Sequence, residues 1–270
     1  MQPLITRGDA EELQAKIAGI RERQRERERI EREQEEAERV EWEAAHPGGC
    51  WSCRDGGIVM GSLNDPCTCP HGRAIAQERL NRQVRELWDG ARIPPRQRDR
   101  TLESYPAKHL QAYSDVREFL GAWDGHQGLL LSGSYSTGKT GLAIGLAREI
   151  AYLYAGTPYK MRFTPSVELM QALRPSAEPE SDRAALFDTM MRTRLLLLDD
   201  LGKDKPSEWV FDRLFTLINH RYDHRLPTFI TTNYAPEELI ERVGKGVADR
   251  LAEMCDLIEM DTDAPNLRTR

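Results

Sequence analysis

Residues Gly133-Ser134-Tyr135-Ser136-Thr137-Gly138-Lys139-Thr140 satisfy Gly-x4-Gly-Lys-Ser/Thr in full, and these eight positions constrain the chain more than any other stretch. They follow an apolar run at 128–131 and precede a helical apolar pattern over 142–154, the strand–loop–helix setting in which this pattern wraps a phosphate chain. The glycines and small residues let successive backbone N–H groups close around phosphates, and the positive end of the following helix adds its field. Lys139 is expected to reach the β- and γ-phosphates of ATP, and Thr140 to place its hydroxyl on Mg2+.

A loop of this kind needs a parallel sheet behind it, and the sequence supplies one. Strand patterns at 128–131, 159–164, 194–200, 227–233 and 256–260 alternate with helical patterns, which predicts a five-stranded parallel sheet covered by helices on both faces. With 270 residues and 39% hydrophobic residues, the chain can build one large core plus something smaller. The opening residues lack a signal-peptide core, and no apolar run is long enough to cross a bilayer. A soluble, cytoplasmic protein is expected. The formal net charge of −6 gives no basic signature, so any nucleic-acid contact has to come from a local patch.

Two further elements belong with the loop. Four leucines run into Asp199-Asp200, which puts two carboxylates at the C-terminal edge of a buried strand, where ligands bind in open α/β sheets. Asp199 is expected to coordinate Mg2+ through water and Asp200 to orient an attacking water. Asn233 ends the next strand, where an amide can face both the γ-phosphate and that water.

Upstream, the chain divides into a charged helix or arm over 1–45, a cysteine-bearing module with a helix over 46–90, and a linker over 91–107 marked by Asp-Gly and Pro-Pro. The ATPase domain is expected over 108–270. In the arm, Glu28/Arg32, Arg29/Glu33 and Glu35/Arg39 are opposite charges four apart and support a solvated helix. In the module, Cys50-x-x-Cys53 and Cys67-x-Cys69 lie thirteen residues apart among glycines and prolines. Such a segment cannot bury a core and needs a staple, and the spacing suits a structural Zn2+. His46 and His71 are alternative ligands, and an iron–sulfur cluster uses the same donor type. Cys255 reads as a small core residue.

The order of phosphate loop, Asp199-Asp200 and Asn233 resembles the AAA+ ATPases, whose next element is an arginine finger reaching into a neighbouring subunit's site. Arg250, in "GVADRLAEM", fits that place. Most AAA+ proteins carry a helical lid, for which no length remains after the last strand pattern. The stretches "ARIPPRQRDRTLESYP", "LLLLDDLG" and "TPSVELMQALR" resemble the lidless subgroup, the DnaC/DnaI-type helicase loaders and the IstB-type transposition ATPases. The resemblance places Arg92, Ile93 and Pro94 near the adenine. It also points to Lys160, Arg162, Ser166 and Arg174 as contacts for single-stranded DNA.

The resemblance implies an ATP-driven loader that self-associates in its ATP state, grips single-stranded DNA and holds a replicative hexameric helicase through its N-terminal region. A zinc module occurs in some loaders and is generally absent from IstB-type proteins, which favours the loader. The alternative is an IstB-like regulator of DNA transposition. A small-molecule kinase of the same loop type would need a lid and an acceptor pocket, and a nucleotide-binding adaptor without hydrolysis is the remaining class.

Overall fold

The computed structural model describes residues 7–54, 67–108, 110–175 and 180–260. These form two compact units, 1–79 and 80–270.

In the first unit, α1 (Arg7–Ala45) is one long helix, exposed over residues 24–41. Arg29 pairs with Glu26 and Glu33 at 2.6 and 3.2 Å. The other expected pairs are rearranged. Arg32 donates to the Glu28 carbonyl oxygen, and Arg39 lies near Glu36 and Glu43. These pairs are solvent-exposed and screened by water and salt, so they add little to stability. Helix α2 (Pro70–Gly90) begins just after Cys69.

Among the described residues, the second unit contains five strands. They are β1 (Gly128–Ser132), β2 (Met161–Pro165), β3 (Leu195–Leu201), β4 (Thr228–Thr232) and β5 (Cys255–Glu259). Every pairing is parallel and the order is β2-β3-β4-β1-β5. Alternating side chains serve two separate cores, as a sheet buried on both faces requires. Leu129, Leu131, Leu195, Leu197 and Phe229 face α3 (Gln111–Ala122) and α4 (Lys139–Leu153). Leu130, Leu196, Leu198 and Ile230 face a layer built from α5 (Ser166–Leu173), α6 (Glu180–Arg192), α7 (Glu208–Asp223), α8 (Pro236–Val243) and α9 (Lys245–Met254). Each fully buried leucine contributes about 1.5–3 kcal/mol. Cys255 is buried, as expected, and burial pushes its thiol up to about 12.

The stretch 91–107 is not a free linker. Ala91, Ile93, Leu102, Tyr105 and Ala107 are buried in the first core, and the Ala91 carbonyl accepts from the Phe163 N–H at 2.8 Å. Pro95–Gln97 forms a short 3-10 turn, and the strap crosses α4 at Gly145, where a Cβ would come within 2.8 Å of the Leu102 nitrogen. The division between units falls earlier, between Arg79 and Leu80.

At the sheet edge opposite the phosphate loop, Arg221 is fully buried. It donates to the carbonyls of Met190, Thr193 and Pro227 and to the Thr228 hydroxyl at 2.7–2.9 Å. One guanidinium thereby joins α6, α7 and the starts of β3 and β4. Burial draws it down to about 9.

Candidate nucleotide site and cysteine cluster

The strand order builds the nucleotide site. Strand β4 lies between β1, which leads into the phosphate loop, and β3, which ends in the two aspartates. Whatever follows β4 therefore emerges between the phosphate-loop motif and the aspartates. Asn233 is that residue.

Between β1 and α4 the loop takes the left-handed geometry its glycines allow, with φ of 144° at Gly133 and 91° at Gly138. Ser136 adopts a φ of 66° without being glycine, so the loop holds some strain at its tip, where Tyr135 is exposed. Lys139 is only 5% exposed, and its ammonium donates to the carbonyls of Gly133 and Ser134 at 2.9 and 2.7 Å. The Thr137 hydroxyl closes the loop on the Ser134 carbonyl. The lysine is thus gathered into the loop it serves.

Across the sheet edge, the Thr140 hydroxyl donates to Asp199 Oδ1 at 2.7 Å. The Thr231 hydroxyl donates to the same oxygen at 2.6 Å. Burial raises the Asp199 pKa, and the bonds from Thr231 and Thr140 oppose that rise. Asp200 follows at a register irregularity between Leu198 and Leu201, with a φ of 56°. Its Oδ1 accepts from Asn233 Nδ2 at 2.9 Å, and its Oδ2 lies 3.3 Å from Lys203 Nζ. A hydroxyl and a half-buried carboxylate at this separation suit Mg2+, which takes oxygen ligands and keeps several waters.

A cavity of about 130 Å³ opens over these groups, lined by Lys139, Thr140, Asp200 and Asn233 on one side and by Gln97, Arg100, Thr101 and Tyr105 on the other. The second wall was missing from the sequence reading. Arg92, Ile93 and Pro94 do not line this cavity, and Ile93 is buried in the core. The Tyr105 hydroxyl donates to the Thr137 carbonyl at 3.0 Å, tying the strap to the loop. Arg250 is also outside the lining. Its Nε donates to Asn219 Oδ1 at 2.6 Å and its guanidinium covers the Phe215 ring at 4.4 Å.

The residues expected to touch DNA separate. Lys160 and Arg174 are exposed, Arg174 lying 5.5 Å from the centre of the Trp209 ring. Arg162 is half-buried, and burial lowers its pKa. Ser166 is fully buried, and its hydroxyl is given to Asp204 at 2.7 Å. It has no surface to offer a strand.

In the first unit, the sulfurs of Cys50, Cys53, Cys67 and Cys69 lie within 4.8 Å of one another. The Gly72 N–H donates to Cys69 Sγ at 3.1 Å. A Cβ on Gly72 would come within 2.4 Å of the Cys67 carbonyl oxygen, so only glycine closes the cluster. Neither alternative histidine joins the group. His46 instead stacks on Trp42 at 4.5 Å and bonds its carbonyl. Four converging sulfurs with an N–H donor fit a tetrahedral structural Zn2+.

Residues 71–270 match the family described as IstB-like ATP binding protein. The replicative helicase loader DnaI of Bacillus subtilis is 29% identical over 134 residues, 48% of this chain and 42% of that protein. The replicative helicase loader DnaC of Escherichia coli K12 is 24% identical over 186 residues, 66% of this chain and 74% of that protein. A crystal structure of the DnaC helicase loader shares the fold with a TM-score of 0.52, at 24% identity over 62% of this chain and 99% of that one. The chain thus spans less than half the length of the DnaI relative. The complete phosphate loop, the Thr140 hydroxyl that ends it and the aspartates across β4 all fall within the matched residues, and the chain belongs to the IstB-like ATP-binding protein family.

Proposed function

We propose that this protein is an ATPase that loads a replicative ring helicase onto single-stranded DNA. The observation that carries the reading is the convergence of Lys139 and Thr140 at the start of α4, Asp199 and Asp200 near the end of β3, and Asn233 just after β4. Lys139 binds phosphate oxygens, Thr140 and Asp199 would hold a Mg2+ ion, and Asp200 with Asn233 orients the attacking water. When bound, Mg2+ neutralises charge on the phosphates. The backbone of 133–138 holds the remaining phosphate oxygens through its N–H groups.

Two relatives named as helicase loaders support the loader over the transposition regulator. So does the cysteine cluster, which with Zn2+ bound is a rigid docking module for the helicase. Assembly in the ATP state would place Arg250 of one copy at the next copy's nucleotide, since in its own chain it does not line the cavity. Lys160 and Arg174 remain available to a DNA strand.

The test is a light-scattering titration of the full chain with a candidate replicative helicase, in ATP and in ADP. A stoichiometric complex that depends on nucleotide is expected. No complex in either state, together with preference for duplex over single-stranded DNA, would shift the assignment to the transposition regulator.

A further inference from the structure

The turn after β3 carries a lysine, Lys203, that does not line the nucleotide cavity. Its backbone is fixed: the Lys203 N–H closes on the Asp200 carbonyl at 3.4 Å, and Gly202 takes a φ of 88° beneath Tyr234, Leu239 and Arg242. A Cβ on Gly202 would lie 3.0 Å from the Tyr234 ring. The loop beyond is anchored twice more, by Asp204 accepting from Ser166 and by Ser207 capping α7. Lys203 therefore starts from a defined position. Its ammonium reaches back over the turn to Asp200 Oδ2 at 3.3 Å.

The consequence concerns the state of Asp200. Both of its oxygens are engaged, Oδ1 by the Asn233 amide and Oδ2 by Lys203. A carboxylate that orients water must turn an accepting oxygen toward it, and an ammonium competes for that oxygen. The backbone cannot relieve the competition by moving, because Asp200 is held at its φ of 56° by a Thr231 hydroxyl accepting its N–H. The side chain of Lys203 is about half exposed and does not line the cavity, so it can leave without disturbing nucleotide contacts.

We infer that Lys203 is a positioning residue that restrains hydrolysis by holding Asp200 Oδ2 away from the attacking water. The ion pair is a brake on turnover, and ATP binding does not depend on it. The inference rests on the role given to Asp200 above.

The experiment measures steady-state ATP hydrolysis by the full chain without DNA, for wild type, Lys203→Gln, Lys203→Arg and Asp200→Asn. An exposed pair of this kind is weak, so Lys203→Gln is expected to raise kcat roughly two- to five-fold. KM for ATP should be unchanged, and Lys203→Arg, which keeps the cation, should keep the low rate. A kcat for Lys203→Gln at or below wild type, with ATP binding intact, overturns the brake. The Asp200→Asn arm separates the two ideas. Loss of turnover there with no rise in Lys203→Gln removes only the brake, whereas full turnover in Asp200→Asn removes the role of Asp200 itself.

Discussion

Thr231, on β4, and Thr140, at the start of α4, donate their hydroxyls to the same oxygen of Asp199, at 2.6 and 2.7 Å. The candidate metal carboxylate is thus oriented from two sides, by the phosphate-loop helix and by the strand between the loop and β3. An ionised acceptor gains more from each bond than a neutral one does.

Thr231→Val keeps the shape of the side chain and removes one of these donors, together with the acceptor of the Asp200 N–H. We expect the Mg2+ concentration for half-maximal ATP binding to rise about five-fold, equivalent to roughly 1 kcal/mol for one hydrogen bond. Nucleotide titration at several Mg2+ concentrations checks this, with circular dichroism to show an unchanged fold.

The raised pKa of Asp199 gives two pH effects of opposite sign. Its carboxylate must be ionised to hold a cation, so Mg2+-dependent ATP affinity should begin to fall at a higher pH than its ordinary 3.8 would set. Without nucleotide, the ionised buried form costs stability, and protonation through that raised value relieves the cost. Melting temperatures with and without Mg2+-ATP should therefore converge on acidification, and Asp199→Asn should remove this site's share of both trends.

Replacing Cys50 and Cys53 together by serine removes two of four sulfurs whose separation is under 4.8 Å. Loss of one bound Zn2+ per chain and loss of the helicase complex are expected, with ATP affinity retained. Metal analysis beside the light-scattering titration reads both.

Arg221→Met would strand several buried carbonyls at once. Each unsatisfied group costs about 1–3 kcal/mol, so a loss of about 3 kcal/mol or more is expected by urea unfolding. Folded molecules of the variant should still bind ATP, because Arg221 joins the opposite edge of the sheet.

The sheet and the phosphate site were legible because their signals are local and dense. The leucine run ending in Asp199-Asp200 and the eight-residue loop need no distant partner to be recognised. The packing of the strap is not legible in the sequence, because Pro94-Pro95 and Asp89-Gly90 look the same in a packed segment as in a free one. Its buried residues, Ile93, Leu102 and Tyr105, follow no helical or strand period. Ser166 failed for a different reason. A serine at a helix start looks available, and only Asp204, thirty-eight positions later, consumes its hydroxyl. Thr231 could have been found: a threonine two residues before Asn233 in a buried strand shares its face and needs a polar partner.

The central place of β4 also bears on how the chain avoids mispairing. Sliding β4 by one residue against its neighbours would send Thr231 to the opposite face and draw Asn233 away from Asp200. Such a slipped sheet could keep much of its apolar contact but would have no place for Mg2+-ATP. By mass action, bound ATP would therefore stabilise only the correctly paired sheet, so that the ligand acts as a check on strand register.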